Sequence, residues 1–198
     1  MIRLGLTGSI GMGKSTIARM FRDEGIPVWD ADEAVHRLYA TSPVIRQKLT
    51  DAFGDVVTDG HVDRVKLSAA LKMVDHGFDR LNAIVHPLVV DDRKVFMDAE
   101  ERRHADLVVA DIPLLYETGA ESWLDYVLVV SAPADVQRAR VMARPGMTAE
   151  KFAAILGRQM PDAEKRRRAH FVIDTGQSLD ECRGEVRKLV NRFTGSGL

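Results

Sequence analysis

The chain has 198 residues, 45% of them hydrophobic and 29% charged, with a formal net charge of −1, the balance of a globular domain with a sizeable core. That charge offers no global field to gather nucleic acid or an anionic membrane, and one cysteine, Cys182, excludes an internal disulfide. No apolar run approaches the roughly 18 residues of a membrane span, and the N-terminus reads as a strand and not as a signal peptide, so a cytoplasmic location is expected.

In chain order, the first strand is expected over Arg3–Leu6. Gly8 to Ser15 then read Gly-Ser-Ile-Gly-Met-Gly-Lys-Ser, a complete G-x-x-x-x-G-K-[ST] pattern, and a helix is expected over Lys14–Asp23. A strand feeding a glycine turn into a helix N-terminus aims several backbone N–H groups, and the positive end of the helix dipole, at one point. Glycines let that backbone wrap a phosphate chain. In such a loop Lys14 reaches the β- and γ-phosphates of a nucleoside triphosphate, and the Ser15 hydroxyl ligates Mg²⁺. Gly8, Gly11 and Gly13 do not form G-x-G-x-x-G, so the dinucleotide fingerprint is absent.

The second strand, Pro27–Trp29, runs into Asp30-Ala31-Asp32-Glu33. A carboxylate there suits the orientation or deprotonation of an attacking hydroxyl, and equally suits the cap and first turn of a helix over Ala31–Ala40. Further helices are expected over Pro43–Phe53, Val65–Lys72 and Pro87–Arg103, the last opened by His86-Pro87 with proline at its first position. The next strand is Leu107–Ala110, so about seventy mostly helical residues separate two strands, where one crossover helix needs only a dozen or so. The surplus is expected to form a helical, acceptor-holding lobe over 35–103.

Leu107–Ala110 closes on Asp111, an acid placed to support Mg²⁺ or its waters, and Pro113-Leu114-Leu115-Tyr116-Glu117 follow shortly after. A fourth strand is expected over Val127–Val130, then helices over Ala134–Ala143, Ala149–Gly157 and Asp162–Ala169, a strand over Phe171–Ile173 and a helix over Leu179–Phe193. Segment 137–168 carries nine Lys or Arg against three Asp or Glu, a formal charge of +6. Arginines on such a segment suit a lid closing over a triphosphate; part of the Lys165–Arg168 run is expected to be a solvated face. A single aromatic, Phe152, lies among these basic residues, too few for the stacking platform of a nucleic-acid surface. The whole reads as an α/β fold, a parallel sheet flanked by helices, with core segments 1–34, 104–136 and 169–198. A GTP-dependent switch would need N-K-x-D, which is absent; the D-x-x-G at Asp51–Gly54 lies in a helical stretch.

These residues together resemble the dephospho-CoA kinase family. The stretches that carry the resemblance are Leu6–Thr16, Asp30-Ala31-Asp32, His86-Pro87, Pro113–Glu117, Arg140-x-x-x-Arg144, Gln159 and Phe171-Val172-Ile173-Asp174, in order over residues 2 to 175. The resemblance implies a P-loop NTPase core with a helical substrate lobe and a lid, and transfer of the γ-phosphoryl group of ATP to the ribose 3′-hydroxyl of dephospho-CoA. It implies that Asp32 engages that hydroxyl while Asp30 caps or supports. It makes Lys14, Asp32 and Arg140 the catalytic set. ATP would be held by Gly8, Gly11, Met12, Gly13, Lys14, Ser15, Thr16 and Arg144, and Mg²⁺ by Ser15 and Asp111. The acceptor would be lined by Thr7, His86, Pro113, Leu114, Leu115 and Glu117. A monomer or weak homo-oligomer is expected. Three positions depart from the family pattern: Pro145 stands for an aspartate, His170 for an aspartate, and Thr175 for an asparagine near the adenine end.

Overall fold

The computed structural model describes residues 1–195. Its elements run β1 (Ile2–Thr7), α1 (Lys14–Asp23), β2 (Val28–Asp30), α2 (Ala31–Thr41), α3 (Pro43–Phe53), β3 (Val57–Thr58), β4 (His61–Val62), α4 (Arg64–Met73) and α5 (Gly77–Arg102). They continue with β5 (Leu107–Asp111), a 3₁₀ turn at Ala120–Trp123, β6 (Tyr126–Ser131), α6 (Ala134–Met142), α7 (Ala149–Leu156), α8 (Asp162–Arg168), β7 (Phe171–Asp174) and α9 (Leu179–Thr194).

Five strands form one sheet in the order β2-β5-β1-β6-β7. β1 is central and parallel to both neighbours, with Leu6 opposite Asp111 on β5 and Thr7 opposite Val129 on β6; Ser131 and Asp174 close β6 and β7 in the same register. The loops after β1, β5, β6 and β7 therefore leave from one edge, where ligands of open α/β sheets bind. All of β5 is buried, as a parallel strand covered on both faces requires.

The chain divides into two compact units, Met1–Trp29 with the described residues from Glu100 onward, and Asp30–Ala99. The first is built on an apolar cluster that joins Leu4 and Leu6 of β1 to Ile17, Met20 and Phe21 of α1, Leu128 and Val130 of β6, and Val186 and Val190 of α9. The second has its own cluster of Ile45, Leu49, Val56, Val62, Leu67, Leu71 and Val85.

The structure corrects the expected start of the long helix. Pro87 lies inside α5, which begins at Gly77. An interior proline costs a helix about 3 kcal/mol, but Leu81, Ile84, Val85 and Leu88, at helical spacing on both sides of it, all pack into the second cluster. Tertiary burial of that stripe outweighs the local signal. The β3–β4 hairpin was not expected from the sequence. Its turn at Asp59-Gly60 has positive φ at both residues, 49° and 77°, and Asp-Gly between Val57 and Val62 is the signal that identifies it.

Candidate active site

The phosphate loop springs from the buried end of β1 and closes on α1, whose N-cap is Gly13 and whose first turn holds no acid. That N-terminus keeps its full positive end for an anion. Gly11 has φ +79°, and a Cβ there would come 2.5 Å from Val141 and 3.1 Å from the Gln137 carbonyl oxygen. At Gly13 φ is +84°, and a Cβ would press on the Thr175 side chain at 3.2 Å. Both positions require glycine for conformation and for space. Met12 is buried and its sulfur accepts from the Ala132 N–H at 3.1 Å, while Thr16 donates its backbone N–H to the Gly13 carbonyl.

Lys14 Nζ forms an ion pair with Asp111 Oδ1. Asp111 is 1% exposed at the end of β5, so the lysine neutralises a carboxylate that burial alone would penalise. Ser15, in the first turn of α1, is exposed. Thr7 is buried and its hydroxyl donates to the Pro113 carbonyl at 3.2 Å, tying the end of β1 to the segment after β5. In that segment Leu115 is fully buried, whereas Leu114 is 40% exposed.

The basic segment after β6 splits into distinct roles. Arg140, on α6, donates to Thr175 Oγ1 at 3.1 Å and to the Thr175 carbonyl at 2.7 Å. Thr175 Oγ1 in turn donates to the Met12 carbonyl at 2.8 Å, so the arginine is joined to the phosphate loop through one residue. Arg144 lies exposed beyond the end of α6. Lys165 is completely buried, with Nζ 3.0 Å from Glu117 Oε1. Glu117 also accepts from the Met160 N–H at 2.7 Å. Burial pushes the Glu117 carboxyl up, but the Met160 N–H and Lys165 outweigh it and hold the group below its usual range. Arg168 pairs with Glu121 at 2.6 Å and lies over the Tyr116 ring at 4.5 Å, and Arg167 pairs with Glu164. In the Lys165–Arg168 run, Lys165 is thus a buried ion-pair partner while the other three residues are exposed. No helix of the described residues is long and apolar enough to cross a membrane.

In the second unit, Asp30 caps α2: its Oδ1 accepts from the backbone N–H groups of Asp32 and Glu33 at 2.9 and 3.0 Å. The Asp32 side chain, in the first turn, is exposed. His86 is exposed on α5.

A family model described as dephospho-CoA kinase matches residues 2–181. The chain belongs to the dephospho-CoA kinase family. It is 53% identical over 195 residues to a dephospho-CoA kinase of Mesorhizobium japonicum, covering 98% of each chain, and 50% identical over 197 residues to one of Brucella melitensis, covering 98% of this chain and 96% of that protein. A solved structure from Thermus thermophilus superposes with a TM-score of 0.80 at 36% identity, covering 96% and 97% of the two chains. A shikimate kinase of Acinetobacter baumannii, at TM-score 0.52 and 17% identity over 100% of this chain and 96% of that one, shares the fold.

Within this dephospho-CoA kinase framework, two departures from the family pattern have local structural uses. Thr175 carries the Arg140–Met12 link described above. His170 Nδ1 accepts the Val127 N–H at 3.1 Å, and its ring meets Tyr126 edge-on at 5.4 Å. Pro145 lies in the exposed turn between α6 and α7. The local pattern marks neither the pairing of Lys165 with Glu117 nor the grip of Gln137 and Gln159 on Ile10, which forms across more than a hundred residues of chain; Gln159 entered only through the family resemblance.

Proposed function

We propose that this chain transfers the γ-phosphoryl group of ATP to the ribose 3′-hydroxyl of dephospho-CoA, giving coenzyme A and ADP. The observation that carries the proposal is the glycine loop closing on an acid-free helix N-terminus, with Lys14 against Asp111, in a chain of this family. Phosphoryl transfer passes through a loose transition state, so alignment and charge neutralisation matter more than early proton abstraction. Lys14 has a partner of opposite charge at hand, and a triphosphate offers it a stronger one. Binding therefore draws the ammonium toward the β- and γ-oxygens and leaves the Asp111 carboxylate to other positive charge.

Mg²⁺ would supply that charge, held by Ser15 and Asp111. The donor set suits it: the exposed Ser15 hydroxyl and the Asp111 carboxylate are hard oxygen ligands. The ion's contribution is neutralisation of the β- and γ-phosphate oxygens.

Arg140 and Arg144 are assigned to phosphate contacts from the lid, Arg140 within the catalytic set. Asp32 is assigned to the acceptor hydroxyl, because Asp30 is already committed to the cap and the Asp32 carboxylate is exposed. His86, in segment 35–103 as the acceptor lobe, and residues Pro113–Glu117 of the core are assigned to the acceptor, with 137–168 as the lid. Thr7 and Glu117 hold backbone or lid contacts, so their share in acceptor binding is through the shape of the segment after β5. A cytoplasmic monomer or weak homo-oligomer completes the proposal.

An acceptor panel tests it. With ATP and Mg²⁺, ADP release should depend on dephospho-CoA and be at background with AMP, CMP, gluconate and shikimate. Turnover with one of the others alone would keep the kinase and discard the acceptor.

A further inference from the structure

Ile10, the third residue of the phosphate loop, is gripped on both of its backbone polar groups by side chains from the segment after β6. Its N–H donates to Gln159 Oε1 at 3.0 Å, and its carbonyl accepts from Gln137 Nε2 at 2.8 Å. The two glutamines come from different places, Gln137 from α6 and Gln159 from the turn after α7. Gln137 is only 7% exposed. The same α6 presses on the next residue, since a Cβ at Gly11 would meet Val141 and the Gln137 carbonyl.

We propose that Gln137 and Gln159 are positioning residues that set the phosphate loop in its ATP-binding shape and make lid placement part of that shape. The chemistry of the partners fixes the sense of each bond. A backbone N–H can only donate and a carbonyl can only accept, so Gln159 acts through its amide oxygen and Gln137 through its amide nitrogen. The loop's remaining N–H groups face a ligand only if Ile10 is held. Leaving either backbone group unpaired in a part-buried loop costs a discrete, measurable amount of affinity. Neither glutamine need touch the nucleotide.

The two bonds predict opposite responses to the same substitution. Gln159→Glu keeps an oxygen that accepts from the Ile10 N–H. Gln137→Glu replaces the donor with a carboxylate facing a carbonyl. Both add one negative charge beside the phosphate site, so the charge largely cancels in the comparison. Expected is an ATP dissociation constant at least about fivefold weaker in Gln137→Glu than in Gln159→Glu, the low end for one lost buried hydrogen bond. Gln159→Met removes the acceptor without adding charge, and should bind ATP more weakly than Gln159→Glu. Simple charge repulsion predicts the reverse order. The KM for dephospho-CoA should move by less than the KM for ATP in every variant, which a general loss of folding would not produce.

The measurement is calorimetric titration of each full-length variant with ATP and Mg²⁺, with turnover on dephospho-CoA alongside. Equal affinities for the two Glu variants, or Gln159→Met binding as tightly as Gln159→Glu, overturn the inference. Should Gln137→Glu fail to fold, the Met and Glu variants at 159 decide it alone. The inference rests on the phosphate loop being the ATP site. A wild-type chain that binds no ATP sinks that reading, whereas normal wild-type binding with indistinguishable variants sinks only the role of the glutamines.

Discussion

Asp30 gives one carboxylate oxygen to two backbone N–H groups of α2, and Asp32, two residues later, keeps an exposed side chain. The residue pattern alone left a helix start and a positioned carboxylate open at this pair, and the family resemblance gave Asp32 the hydroxyl and Asp30 the cap or support. The hydrogen bonds show Asp30 as the cap. Asp32→Asn should therefore lower kcat by about a hundredfold or more, the scale of a positioned acid–base group, while ATP binding measured by titration stays within a few-fold. A near wild-type kcat would remove Asp32 from the mechanism. The phosphate loop itself was fully legible, since its chemistry lies in eight consecutive residues. Thr175 was legible only as a departure. That it donates to the Met12 carbonyl and receives Arg140 depends on where β7 ends beside β6, which no local pattern encodes.

Helices α6 and α8, after β6, are fixed to the first unit by unlike devices. α6 is held by packing against Gly11 and by Arg140, and α8 by the buried Lys165 facing Glu117. Because the Glu117 carboxyl is held below its usual range, its contribution is complete above the unfolded value of about 4.3 and is lost as pH falls through the lower folded value. Glu117→Gln should destabilise the chain at pH 7 by on the order of 3 kcal/mol, the low end for an orphaned buried charge, as Glu117 retains 17% side-chain exposure. In urea unfolding the gap between wild type and variant should narrow as pH is lowered from 6 toward 3. A gap constant across that range would mean that the ion pair contributes nothing. Element positions were legible where apolar period and caps agreed, as in α3 with Ser42 at its N-cap and proline next. They failed at α5, where proline imitated a helix start, and at β3–β4, where strands of two residues each carry no periodicity.

The uneven spacing of strands in the sequence suggested a helical lobe over 35–103. Residues Asp30–Ala99 form a compact unit with an apolar cluster of its own. Its cluster follows from helical stripes in α3, α4 and α5, each too short or too polar to stand alone. The first unit carries the whole phosphate loop, Asp111 and the basic segment. The choice of acceptor was legible only through the combined motifs, since no single one names a CoA-sized substrate. Matching of the family model across residues 2–181 makes transfer to the 3′-hydroxyl of dephospho-CoA the reaction to be tested. The most direct measurement is ³¹P NMR of the chain with ATP, Mg²⁺ and dephospho-CoA. The predicted result is a new phosphomonoester on the ribose 3′-oxygen, formed in step with ADP; ADP without a new ester, or an ester at another position, would contradict it.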